Sequence, residues 1–158
     1  MYIIDGYNLL WSVRKAAEHL EEMSESQLCQ FIGIYLRAIG SEGQIVFDGI
    51  GPPDKTLLNS GTGIDIVFSG PGIDADTYIE AKIKADSAPK RLTVVSTDRQ
   101  IRRAASARKA VSVRSEKFWQ DVVKTLNKKI KAPEPIEKKR GLDEGQTMQW
   151  LKYFGFDQ

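Results

Sequence analysis

Ile3-Ile4-Asp5-Gly6-Tyr7-Asn8, at the start of the chain, and Ile45-Val46-Phe47-Asp48-Gly49 follow one pattern, an apolar β-branched run that stops abruptly at Asp-Gly. Runs of this kind read as short buried strands, and Asp-Gly reads as the turn that ends them. Ile64 to Phe68 makes a third such run, and Leu92 to Ser96 a fourth that passes at once into Thr97-Asp98. Val111 to Val113 is a short fifth. Between them the spacing turns helical. Ser24-Glu25-Ser26-Gln27 has the spacing of a capping box and opens a helix that buries Leu28, Phe31, Ile32, Tyr35 and Leu36, with Gly40 as its stop. A helix begins near Asp74, a basic one follows Asp98, and a third, with Ser115 expected as its cap, buries Phe118, Trp119, Val122, Val123 and Leu126. Strands apolar throughout, alternating with helices, predict an α/β fold with a parallel sheet covered on both faces.

The 158 residues suffice for one such domain and a short appendage, and 41% hydrophobic content is enough for a core. Residues 1–130 are read as the domain, 131–141 as a basic linker containing Pro133 and Pro135, and 142–155 as an amphipathic helix. With 23 Lys and Arg against 21 Asp and Glu, attraction to a polyanion must come from where the charges sit. The single cysteine, Cys29, cannot close an internal disulfide, and no charged and apolar leader precedes Tyr2, so a cytoplasmic protein is expected. No stretch approaches the ~20 apolar residues that a membrane span requires.

Parallel strands bring their carboxyl ends to one edge, which is where sites form in such sheets. Asp5, Asp48 and Asp98 each stand at or just past a strand end. Ile73-Asp74-Ala75-Asp76-Thr77-Tyr78-Ile79-Glu80 adds acids in a helix's first turn, with Asp76 and Glu80 on one face. Taken singly, Asp5 and Asp48, each before glycine, read more readily as turn residues, and Asp74 and Asp98 as helix caps. Together they repel one another and raise one another's pKa unless cations neutralise them, and the ions that suit oxygen ligands are Mg²⁺ and Mn²⁺. Such ions serve phosphodiester hydrolysis without a protein nucleophile. The remaining inventory agrees, since His19 lies in an acidic helical stretch and is expected at the surface, and Cys29 lies on an apolar helix face and is expected in the core. Gly61-Thr62-Gly63 precedes a strand and lacks the third glycine of a dinucleotide-binding turn, so it reads as a loop.

Taken as a set, Ile4-Asp5-Gly6-Tyr7-Asn8-Leu9-Leu10, Val46-Phe47-Asp48-Gly49, Ala75-Asp76-Thr77-Tyr78-Ile79-Glu80 and Ser96-Thr97-Asp98-Arg99 resemble the NYN (YacP-like) branch of the PIN-like ribonucleases. The Asp-Gly-Tyr-Asn start is the most specific of the four. The resemblance implies a PIN-like three-layer α/β/α sandwich around a mostly parallel sheet, and a Mg²⁺- or Mn²⁺-dependent endoribonuclease. By motif position it implies that Asp5, Asp76 and Asp98 are the principal metal-binding acids and that Asn8 orients water or substrate. Asp48 and Asp74 come second, and Glu80 supports the site or its helix. The tail from Ala132 onward lies outside the resemblance.

On the substrate side, Arg99, Arg102 and Arg103 follow Asp98 directly and present guanidinium forks suited to phosphate. Tyr7 is a candidate for stacking on an unpaired base, whereas Trp11 is expected in the core. Single-stranded RNA, on or near the ribosome, is the expected partner. The C-terminal helix is expected to dock on its own domain, with a protein partner or a second copy, giving a homo-oligomer, as the rival arrangement. The rival function is a non-catalytic RNA- or ribosome-binding module whose acids are structural.

Overall fold

The computed structural model describes residues 1–54, 58 and 61–131; the expected linker past its first residue and the expected helix over 142–155 lie outside them. Strand β1 (Tyr2–Asp5) leads directly into α1 (Gly6–Ala16), a 3-10 turn at Glu18–Leu20 and α2 (Glu25–Ala38). Then come β2 (Gly43–Phe47), β3 (Asp65–Phe68), α3 (Ala75–Ala85), a second 3-10 turn at Pro89–Arg91, β4 (Thr93–Val95), α4 (Arg99–Ala107), β5 (Val111–Val113) and α5 (Ser115–Lys131).

The five strands form one sheet in the order β3-β2-β1-β4-β5, with every pairing parallel. Alternation along the strands divides the core in two. Ile4, Ile45 and Val95 face a cluster with Leu9, Leu28, Ile32, Phe118 and Val122 from α1, α2 and α5. Ile3, Val46 and Val94 face a second cluster with Ile79 and Ile83 from α3 and Ile101 and Ala105 from α4. Both faces are therefore dry, which is the condition for an all-parallel sheet and makes this an α/β/α sandwich.

Local signals set the helix starts. Ser24 and Gln27 form the reciprocal capping box, and α2 ends at Ala38, short of Gly40. Helix α5 differs from expectation, because Ser115 is its first helical residue rather than its cap, and its buried hydroxyl is engaged elsewhere. Trp11 also differs: it is 59% exposed, because α1 buries Leu9, Leu10 and Val13 and turns position 11 away from them. Cys29 is buried and His19 is exposed, as expected. No helix among the described residues is long and apolar enough to cross a membrane.

The chain runs from β1 outward through β2 to β3, then crosses back to β4 on the other side of β1. The reversal opens a crevice between the carboxyl ends of β1 and β4, the position at which parallel sheets bind ligands. Asp5 ends β1, and Ser96-Thr97-Asp98 follows β4.

Candidate active site

Asp5, the last residue of β1, caps α1 by accepting from the Asn8 amide N–H at 3.4 Å, and its other oxygen accepts from the Ser96 hydroxyl at 3.1 Å. Ser96 is fully buried, and its Oγ in turn accepts from the Asp98 amide N–H at 3.0 Å. One hydroxyl thus ties the first acid to the turn that carries the last. Gly6 permits this tight exit from β1, since a Cβ there would lie 2.6 Å from the Phe47 ring and 2.9 Å from the Val46 carbonyl oxygen.

Asn8 is held just as firmly. Its Oδ1 accepts from the Thr97 amide N–H at 2.9 Å and from the Ser115 hydroxyl at 2.6 Å, so the first helix, the β4 exit and α5 meet on one side-chain amide. Both donors demand the oxygen, which fixes the amide's orientation and leaves its NH₂ for other acceptors.

Across the crevice, Asp98 caps α4 through Oδ1, taking the N–H groups of Gln100 and Ile101. Asp74 caps α3 by accepting from Thr77 N–H at 2.7 Å, and Asp48 accepts from Ala75 N–H at 2.9 Å, also through Oδ1. Among the described residues, Oδ2 of Asp48 and Asp98 accepts no hydrogen bond, whereas Asp74 takes both the N–H and the hydroxyl of Thr77. The cap reading and the site reading of Asp48 and Asp98 are thus compatible, since one oxygen serves the helix and the other is left over. Glu80 lies beside the site, where the Gln100 amide donates to it at 2.6 Å and joins α3 to α4.

The result is an open cleft of about 320 Å³ lined by Asp5, Tyr7, Asn8, Trp11, Asp48, Asp74, Ala75, Asp76 and Asp98. All five expected metal acids line it, and among the described residues no lysine, arginine or histidine does. Their electrostatics reflect the crowding. Burial, with the Asp76 and Asp98 carboxylates nearby, pushes Asp5 up to about 6 against the pull of its two hydrogen bonds. Partial burial, then the charges of Asp98, Asp74, Glu80 and Asp48, raises Asp76. Asp74 is held below the usual carboxylate range by its hydrogen bonds from Thr77.

Among the described residues, no three His, Cys, Asp or Glu side chains are drawn together closely enough to hold one metal ion. The raising of Asp5 by Asp76 and Asp98, that of Asp76 by Asp98, Asp74, Glu80 and Asp48, and the unengaged oxygens of Asp48 and Asp98 nevertheless mark a set of hard donors lacking a counter-charge. Mg²⁺ needs only one or two carboxylates beside its waters and a substrate phosphate, so these residues fit such an ion without a closed cage.

The expected RNA contacts are distributed differently. Tyr7 lines the cleft but packs edge-on against Phe47, with ring centroids 5.1 Å apart. Arg99 and Arg103 are exposed on α4, and Arg102 is half-buried with its Nε enclosed and without a partner; none of the three lines the cleft. The reading of single residues missed Ser96, Thr97 and Ser115 as organisers of the site. A serine closing the apolar run Leu92 to Val95 was the available signal for the first; nothing near Ser115 in sequence pointed to Asn8.

The YacP-like NYN domain model matches residues 2–152. The chain belongs to the YacP-like NYN domain family. The family match carries the relationship past Ala132, beyond the reach of the four motifs. Rae1 (YacP) from Bacillus subtilis has a similar crystal structure, with a TM-score of 0.66, 16% identity, and coverage of 96% of this chain and 82% of that one. Its W164L mutant aligns with a TM-score of 0.57 and 18% identity over 97% of this chain and 91% of that one. At these identities the likeness is one of fold. No curated protein matches this chain. Membership in the NYN family makes this a PIN-like nuclease domain, with its acids at the edge where such a fold places a site.

Proposed function

We propose that this NYN domain is a metal-dependent endoribonuclease of single-stranded RNA, acting in the cytoplasm. The observation that carries the reading is the convergence of Asp5, Asp48, Asp74, Asp76 and Asp98, from separate segments, on one cleft that no cationic side chain among the described residues lines. Mg²⁺ or Mn²⁺ bound there would supply an activated water and neutralise charge on the attacking and leaving oxygens. Asp5, Asp76 and Asp98 would hold it, one or two of them directly and the rest through its waters, with Asp48 and Asp74 beside them. Asn8 does not join them as a ligand, because its carbonyl oxygen is spent on Thr97 and Ser115. Its NH₂ donates instead, orienting a phosphate oxygen or the water. Arg99 and Arg103, outside the cleft at the start of α4, take phosphates further along the strand.

The test is cleavage of an unstructured RNA with Mg²⁺, Mn²⁺ or EDTA. Asp76→Asn and Asp98→Asn are expected to lower the rate by ~100-fold or more, given that even outer-sphere partners of a metal site are worth 10–100-fold. Asparagine caps helices as well as aspartate, so α4 should survive the second change. RNA binding without any divalent-dependent cutting would replace this reading with that of a binding module.

A further inference from the structure

Six large hydrophobic residues are exposed among those described, and the cleft accounts for one of them directly: Trp11, 59% exposed, lines it together with the acids. Ile50 and Ile73, 76% and 50% exposed, stand beside it in sequence terms on the loops that carry Asp48 and Asp74. A tryptophan left in water at the mouth of an acidic cleft forgoes the burial its ring would otherwise gain, and aromatic anchors at such places are a hallmark of recognition surfaces.

The charges narrow the choice of what covers it. A strand entering a cleft walled by five carboxylates meets repulsion at every phosphate, and no guanidinium or ammonium among the described residues lines the cleft to offset it. Base stacking carries no such penalty, and it is open to any base exposed on an unpaired strand. Tyr7, one helical turn before Trp11 on α1, is half-buried and packs edge-on against Phe47 at the fringe of the core, so Trp11 is the more exposed of the two rings in the cleft. No aromatic ring among the described residues pairs with Trp11.

We propose that Trp11 is the platform on which an unpaired nucleobase of the RNA stacks, fixing the strand by a base so that the neighbouring phosphodiester lies over the acids. The inference rests on the nuclease reading and adds to it a handhold by base rather than by phosphate. It selects unpaired strands, since a base held in a duplex cannot present its face to the indole.

Binding of a fluorescein-labelled single-stranded oligoadenylate tests it, measured by anisotropy on the full chain in an Asp98→Asn background with EDTA. Trp11→Ala is expected to weaken binding about 5- to 150-fold, the range of base stacking on an aromatic side chain, and Trp11→Phe to recover most of it. Removing one base from the oligomer should cost the Trp11 protein far more than the Trp11→Ala protein, an interaction a merely structural role would not produce. Thermal melting checks folding, and an exposed position should tolerate both changes. Equal affinity of Trp11 and Trp11→Ala proteins, with the wild-type chain still cutting RNA, overturns this proposal and leaves the nuclease reading standing. A wild-type chain that neither binds nor cuts oligoadenylate overturns both.

Discussion

Asp5 sits where the demands of folding and of chemistry oppose each other. It ends an interior strand, it is 7% exposed, and it faces two further carboxylates, yet it must ionise to hold a cation. Its carboxyl titrates at about 6 in the fold against an ordinary 3.8, so once ionised it costs the metal-free protein about 3 kcal/mol. The sign follows from proton counting. Below pH ~4 both states hold the proton; between about 4 and 6 the folded chain keeps it while the unfolded chain releases it; above about 6 neither does. This group's contribution to stability therefore falls as pH rises through that window. In EDTA, Asp5→Asn should gain up to about 3 kcal/mol on the wild type between pH 4 and pH 7, and urea unfolding at a series of pH values measures the difference with the other acids cancelling. A difference that stays flat with pH would show that Asp5 carries no such burden. The acids themselves were legible in the sequence because each closes an apolar run or opens a helix. Trp11 was not, because aromatic residues are usually inside; laying Leu9, Leu10 and Val13 on a helical wheel would have turned it outward. The Asn8 to Ser115 bond spans 107 residues, and no local pattern announces a contact of that kind.

At the scale of elements, strands and helices were readable because period-2 and period-3.6 spacing hold throughout the described domain, and the Asp-Gly and Ser-x-x-Gln signals mark true boundaries. How the elements press together was less readable, and Gly33 shows why. It lies in the middle of α2, where glycine weakens a helix, and nothing around it in sequence explains it. In the fold, a Cβ at this position would fall on the carbonyl oxygen of Thr62, in the turn that delivers the edge strand β3. That close approach matters to the site because β3 leads directly into Ser69, whose hydroxyl accepts from Gly49 N–H at 3.0 Å beside Asp48. The obstacle is backbone, so it cannot swing aside. Gly33→Ala should lower the unfolding free energy by about 3 kcal/mol, despite alanine's better helix propensity. Urea denaturation gives the figure, and a variant equal to or more stable than wild type would mean that α2 and the Thr62 turn are not in contact.

Over the whole molecule, the charges nearly cancel, at a net +2, but their distribution does not: five carboxylates share one edge of the sheet, and Arg99, Arg102 and Arg103 do not line their cleft. Self-repulsion at that edge is thus not relieved by a cationic side chain among the described residues, and a cation from solution would relieve it. An ion that binds the folded state alone stabilises it by RT ln(1 + [L]/Kd), about 2.7 kcal/mol when present at a hundred times its Kd. For a domain of this size a kilocalorie is worth about 2–8 °C in Tm, so saturating Mg²⁺ or Mn²⁺ should raise the melting temperature by several degrees over EDTA. Monovalent salt at matched ionic strength should do much less, because screening weakens the repulsion without taking up the unengaged oxygens of Asp48 and Asp98. The increment should shrink when Asp76 and Asp98 are both replaced by asparagine, since that removes two of the charges that raise Asp5. This readout needs no RNA and no turnover, so it separates ion binding from catalysis. Identical melting curves with divalent ions and with EDTA would mean that the fold tolerates its acidic edge unaided, and the cation would lose its place in the reaction.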